Sequence, residues 1–255
     1  MLMGMKKRLP LLVLVLLLGA PMAAVLTQRE TAPEPAPAPE ASAETTGPSV
    51  PTGPGAEETM VHVQKPAGDG VNFSHGSGVY LGDGLILTAA HVVEMDSTHP
   101  QVKILFYEQV IVPGEVVLNG RIFAPDLDLA LIRIEPKDLT PRRRDEAPTA
   151  ICSTNPGTDS PMLVAAEGKV TTAKTIPTAL ERRDTASNNT NGWTNILSTG
   201  YHHGASGGGV FDPEMNCLEG VISLELSDPS RGIDLTSFVP ASRIGPFLDY
   251  YSRHH

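Results

Sequence analysis

Aromatic residues are scarce in this chain of 255: one tryptophan, five tyrosines and six phenylalanines. No stretch after the first 28 residues is both long and apolar, and the first half of the rest has no sustained helical period. That combination excludes a helical bundle and a polytopic membrane protein. Beyond Lys6, Lys7 and Arg8 no basic block is large enough to offset the formal net charge of −10, so nucleic acid is excluded as a partner for want of an electrostatic footprint. Only two cysteines, Cys152 and Cys217, are present, with no paired histidine spacing, and neither a metal nor another cofactor is expected. What the chain has in quantity is glycine (24) and proline (23), dispersed among short β-branched runs. This texture predicts strands joined by turns.

Residues 1–28 read as a targeting segment. Three basic residues precede a run from Leu9 to Gln28 without a charged side chain. Cutting after Ala23 or Ala24 would put Pro21 or Met22 at the third-last position, which is poor for a signal peptidase. Twenty uncharged residues at about 1.5 Å each also match a hydrocarbon core of about 30 Å, so a transmembrane anchor and a cleaved signal peptide are both open. Either way the remainder is expected outside the cytoplasm, secreted, periplasmic or tethered to a membrane. Residues 29–59, with Pro at alternate positions and almost no large apolar side chain, are expected to be a disordered acidic linker.

The folded part is expected at 60–255, all-β. A first β unit covers about 60–135, a second about 149–240 after the polar connector "EPKDLTPRRRDEAPT", and a helix about 241–252 brings Ile244, Phe247, Leu248 and Tyr251 to one face. The chemistry-bearing residues sit at strand ends. His91 follows an apolar strand and two alanines, a setting for a half-buried imidazole, either a base or a core histidine satisfied by a backbone carbonyl. Asp126 and Asp128 stand at the mouth of "LALIRI", where a carboxylate needs a hydrogen-bond partner or must face water. Ser206 lies in "GASGGGVFD", a stretch that is either a flexible turn or a cradle in which glycines let backbone N–H groups converge on a nucleophile. A serine hydroxyl needs a base, and the base needs an acid to hold its tautomer. His, Asp and Ser in that order, 37 and 78 residues apart, are far more specific together than singly.

"GSGVYLGDGLILTAAHVV", "DLALIRI" and "GASGGGVFD" resemble the three signature regions of trypsin-like serine proteases, closest in texture to the bacterial HtrA-type and glutamyl-endopeptidase-type branches but without room for a peptide-binding domain. The resemblance covers Met60 to the C-terminus. It implies two six-stranded antiparallel β-barrels with the active site between them, and hydrolysis of polypeptides through an acyl-enzyme. It assigns His91 as general base, Asp128 as orienting acid, Ser206 as nucleophile, and the N–H groups of Gly204 and Ser206 as oxyanion hole. Substrate-binding positions by the same likeness are Gly200, His203, Ser223, Leu224 and Glu225; Gly200 stands where the trypsin pattern has an acid, which argues against Lys or Arg selectivity. Ala205 replaces the Asp or Asn usual before the serine. A fold of this kind used only as an inactive, membrane-tethered binding module is the alternative. Outside the cytoplasm an even pair of cysteines is expected to be bridged, and Cys152 and Cys217 lie where the animal branch often has a disulfide; two separately buried thiols are the other possibility.

Overall fold

The computed structural model describes residues 54–66, 73–94, 101–176, 195–228, 230 and 232–255. The expected targeting segment and most of the expected linker lie outside them. Among the described residues no helix is long and apolar enough to cross a membrane.

Strands β1 (Met60–Pro66), β2 (Phe73–Gly82), β3 (Leu85–Thr88), β4 (Gln101–Phe106), β5 (Ile111–Asn119) and β6 (Ala130–Arg133) close into one antiparallel barrel in the order β1-β2-β3-β6-β5-β4. A second barrel has the order β10-β11-β12-β9-β8-β7, from β7 (Pro161–Ala166), β8 (Lys169–Ile176), β9 (Asn195–Leu197), β10 (Gly209–Asp212), β11 (Cys217–Asp228) and β12 (Ile233–Pro240). The two six-stranded barrels are the architecture expected from the sequence. Period-two alternation sets the inward face: in β4, Val102, Ile104 and Phe106 are buried while Gln101 and Lys103 are exposed. Each barrel has one two-residue hairpin, Asp83-Gly84 and Glu167-Gly168, with all four residues at positive φ. Those dihedrals match the right-handed twist of the flanking strands and fix their register.

Each barrel has its own apolar filling, around Tyr80, Ile86, Ile104 and Ile132 in the first and Met162, Val164, Val210 and Phe238 in the second. A third cluster joins them, packing Val79, Leu87, Leu129 and Leu131 of the first barrel with Phe211, Leu218 and Val221 of the second. The terminal helix α4 (Ala241–His254) lays Ile244, Phe247 and Tyr251 on this shared core at spacings of three and four. A helical turn, α1 (Ala56–Thr59), forms where the linker was expected to continue to Thr59; Ala56 and Thr59 are buried, so order begins before Met60. Two further single turns, α2 (Ala90–Val93) and α3 (Pro141–Arg144), occupy the loop after β3 and the connector between barrels.

Cys152 and Cys217 form a disulfide, with Cα atoms 5.2 Å apart, joining the entry of the second barrel to the start of β11. Glu219 shares that corner: the two sulfurs and a Glu219 carboxylate oxygen lie within 4.8 Å of one another, but with the sulfurs joined neither is a free thiolate. Among the described residues Glu219 Oε2 is buried without a hydrogen-bond partner. Burial, with the nearby Asp212 charge adding to it, pushes the Glu219 carboxyl up to about 7.

Candidate active site

β3 ends at Thr88, Ala89 caps α2, and this one turn of helix carries His91 with its ring partly exposed to the cleft. The small residues Ala89 and Ala90 are fully buried, which lets the turn sit down on the first barrel. Asp128 approaches from the loop before β6 and is almost wholly buried. Its Oδ2 lies 2.7 Å from His91 Nδ1, and its Oδ1 accepts the His91 backbone N–H at 3.0 Å. Two more donors complete the carboxylate: Arg121 Nη2 at 2.9 Å on Oδ1 and the Ser223 hydroxyl on Oδ2. Burial alone would raise the Asp128 carboxyl, but hydrogen bonding and charge from the His91 ring, then the hydroxyl of Ser223 and the His91 N–H, hold it below the ordinary carboxylate range. Asp126 instead pairs with Arg243 of α4 at 2.9 Å.

Ser223 was expected to line the substrate site. Its side chain is buried and points to Asp128. A register shift in β11 between Ile222 and Leu224 leaves Ser223 outside the regular pairing with β12, and such a bulge re-aims a side chain. Ile222 still exchanges backbone bonds with Gly207 and Gly208 of the serine loop, and past it the β11 backbone pairs, among the described residues, with β12 alone. The other edge of the segment holding Leu224 and Glu225 is thus open to an extended peptide. Leu224 is half exposed, and Glu225 faces His202 at 3.6 Å; His203 is exposed in the turn before Gly204.

Ser206 sits in the loop before β10 that crosses to the first barrel. Ser77 of β2 donates its backbone N–H to the Ser206 carbonyl at 2.8 Å and its hydroxyl to the Gly204 carbonyl at 2.8 Å. The Ser77 hydroxyl also accepts from the Glu167 N–H in the second barrel's hairpin. Within the loop the N–H groups of Ala205, Gly207 and Gly208 bond to His202, Ile222 and Ala205 carbonyls. Those of Gly204 and Ser206 have no hydrogen-bond partner among the described residues. Two carbonyls are thus turned to Ser77 and the alternate N–H groups are left open. The geometry requires glycine: Gly204 has φ +101°, and Gly207 has φ +87° with room for a Cβ only 2.1 Å from the Ser77 carbonyl oxygen and 2.2 Å from Thr88 Oγ1. Gly76 is equally pressed, its absent Cβ falling 2.6 Å from Val92 beside His91 and 2.9 Å from the Ser206 oxygen. The serine loop therefore lies against the histidine turn, although no hydrogen bond joins the Ser206 hydroxyl to His91 among the described residues. Ala205 is fully buried in the second barrel's core.

An acid does stand beside Gly200, though not at position 200 itself. The Asp234 carboxylate of β12 fills the space a side chain there would need, a Cβ on Gly200 falling 1.6 Å from Asp234 Oδ1. The expectation against basic side chains rested on position 200 alone and loses its support. Beyond Gly204, away from β11, a cavity of about 310 Å³ is lined by His62, Val63, His75, Leu105, Glu167 and Gly204.

Residues 76–221 match the family of trypsin-like peptidase domains. No curated protein matches the chain. Among solved structures it is similar to the serine endoprotease from Yersinia pestis, with 18% identity and a TM-score of 0.56, covering 78% of this chain and 64% of that one. It is also similar to the Rv3671c protease from M. tuberculosis, in an active form (16% identity, TM-score 0.54, 76% of this chain and 81% of that) and an inactive form (16%, 0.52, 76% and 89%). The chain thus spans under two thirds of the Yersinia pestis protein it matches. These identities speak for a shared fold, and the family match covers more than half of the chain: this protein belongs to the trypsin-like peptidase family, a family of serine hydrolases.

Proposed function

We propose that the chain is a serine endopeptidase working through His91, Asp128 and Ser206 outside the cytoplasm. The observation that carries the reading is the alternation in the serine loop: Gly204 and Ser206 give their carbonyls to Ser77 and keep their N–H groups open, which is what a developing oxyanion needs. Asp128 holds the Nδ1 side of the His91 ring, leaving Nε2 for the Ser206 proton. The hydroxyl attacks the scissile carbonyl as Nε2 takes its proton, and the oxyanion settles between the two N–H groups. His91 returns the proton to the leaving amine. Water then repeats the sequence on the acyl-enzyme. The Ser206 hydroxyl and His91 need not be bonded beforehand, because such contacts tighten when substrate is bound.

The substrate backbone pairs with the open edge of β11 at Leu224 and Glu225, its acyl-side side chain reaching toward Gly200 and Asp234. The leaving side extends toward the cavity below Gly204. Residues 1–28, as signal peptide or anchor, would carry the domain across a membrane. A fluorophosphonate probe tests the reading. Labelling of the wild type that is lost in Ser206→Ala with unchanged circular dichroism supports it; an unlabelled, folded wild type makes the domain a binding module.

A further inference from the structure

Asp128 carries one more partner than an acid needs in order to orient a base. The Arg121 guanidinium stands in a short 3-10 turn, Gly120–Ile122, and bridges two carboxylates: Nη2 donates to Asp128 Oδ1 at 2.9 Å and Nη1 to Glu94 Oε2 at 2.5 Å. Glu94 is the residue that ends α2, three positions after His91. Asn119 locks the arrangement from both sides, its carbonyl oxygen accepting the Arg121 N–H at 2.9 Å and its amide donating to Glu94 Oε1 at 3.3 Å. With the His91 N–H, the His91 ring and the Ser223 hydroxyl, the guanidinium occupies the last acceptor site of the Asp128 carboxylate.

We infer that Arg121, steadied by Glu94, is a positioning residue that sets how acidic the medium can become before the His91–Asp128 pair stops working. The inference rests on His91 being the base. The reason is electrostatic. An anionic Asp128 favours the protonated imidazole, the form that cannot accept the serine proton. A fixed cation on the far oxygen of the same carboxylate offsets part of that field at the ring. Arg suits the task because its charge does not titrate and its planar fork can span two carboxylates at once. Glu94 opposes it in turn, so Arg121 and Glu94 have effects of opposite sign. Other charged groups on the surrounding elements are engaged elsewhere: Asp126 with Arg243 of α4, and Glu225 of β11 with His202.

The test compares the full chain with Arg121→Gln, Arg121→Lys and Glu94→Gln. The readouts are kcat/KM on a peptide substrate from acid to neutral pH, and the His91 ring signals followed by NMR across the same range. Arg121→Gln should move the acid limb, and the ring titration with it, upward by about half to one pH unit, equivalent to a three- to tenfold loss on the acid side. Arg121→Lys should recover at least half of that shift, and Glu94→Gln should move the limb downward. A purely structural anchor would lower the rate at every pH without moving the limb. The inference is overturned if Arg121→Gln shifts neither readout by more than about 0.2 unit, or if Lys and Gln shift them equally. Should Arg121→Gln fail to fold by circular dichroism, the Glu94→Gln arm decides alone, a downward shift supporting the inference and no shift or an upward one overturning it. If the wild type has no turnover at all, the proposed activity fails, and the ring titration still reports on Arg121.

Discussion

In the first barrel the groups aimed at the cleft are held by side chains: Asp128 grips the His91 ring, and Arg121 grips Asp128 and Glu94. In the second barrel they are held mainly by backbone: Ser206 and Gly207 are set by main-chain carbonyl and N–H bonds, and Gly204 and Gly207 by dihedrals only glycine adopts without strain. On the proposed mechanism the difference follows from what each half must supply. Moving a proton needs an imidazole with a fixed orientation and field, which carboxylates and a guanidinium provide. Steadying an oxyanion needs two convergent N–H groups, which come from main chain once side chains are cleared away. The halves should accordingly fail in different ways.

The largest break is in the first barrel. Asp128→Asn keeps the shape of the carboxylate and reverses its hydrogen-bonding sense toward the imidazole, so kcat should fall about 10⁴-fold, while Asp126→Asn costs no more than about threefold because Asp126 serves the α4 contact. Steady-state kinetics on both variants checks the pair; equal effects would mean that the wrong acid has been assigned.

The second barrel should instead be sensitive in its stability. Reducing the Cys152–Cys217 bridge, which closes 65 residues, should cost about 2–4 kcal/mol by urea unfolding. Glu219 acts at the same corner with a defined pH dependence. Its carboxyl is pushed up to about 7 in the fold from 4.5, so the native state holds a proton that the unfolded chain releases. The Glu219 contribution to stability is greatest below about 4.5, falls as pH rises from there, and levels off above about 7. Glu219→Gln should therefore gain about 1–3 kcal/mol at pH 8 and little at pH 4, as read from urea midpoints. A gain of equal size at both values would refute the assignment.

Ser77 is where the two modes meet, a first-barrel side chain holding second-barrel carbonyls. Ser77→Ala keeps its backbone bond to Ser206 and loses the bond to Gly204, so kcat should drop about 10- to 100-fold with KM within about threefold. A KM effect alone would place Ser77 in substrate binding. The smallest effect concerns selectivity. Asp234→Asn should lower kcat/KM for peptides with Lys or Arg on the acyl side by about tenfold relative to those with Leu, and an unchanged ratio would remove Asp234 from the pocket.

Much of this was legible in the sequence, and the parts that were not share a cause. Short β-branched runs separated by Gly, Pro, Asn and Asp give the strands, since that signal is local, whereas the closure into two six-stranded barrels came from the family resemblance. The position of His91 after an apolar strand, and of Asp126 and Asp128 before one, made them candidates, and the family resemblance chose Asp128 over Asp126. The bond of the Ser223 side chain to Asp128 was not legible, because a bulge has no fixed signature and re-aims a side chain. Asp234 and Arg121 act across 34 and 7 positions of chain, through contacts that no spacing rule predicts. Ser77 was quoted within a motif, yet its role depends on a loop 127 residues away.

The connector between the barrels looks, in sequence, like an open invitation to cleavage, three arginines in a polar stretch. Arg143 is instead only 2% exposed, bonded to Glu108, Glu146 and the Glu58 carbonyl, and stacked near Tyr80 and Phe106. The Tyr80 hydroxyl holds the Arg143 carbonyl, and Thr149 is bonded to Tyr80 and Leu81. A substrate segment must be extended to be cut, and here, although Arg142 and Arg144 are exposed, the chain is bound down as a turn at α3. On the proposed reading, the connector between the half that carries His91 and the half that carries Ser206 is thereby a poor substrate for other copies of the chain.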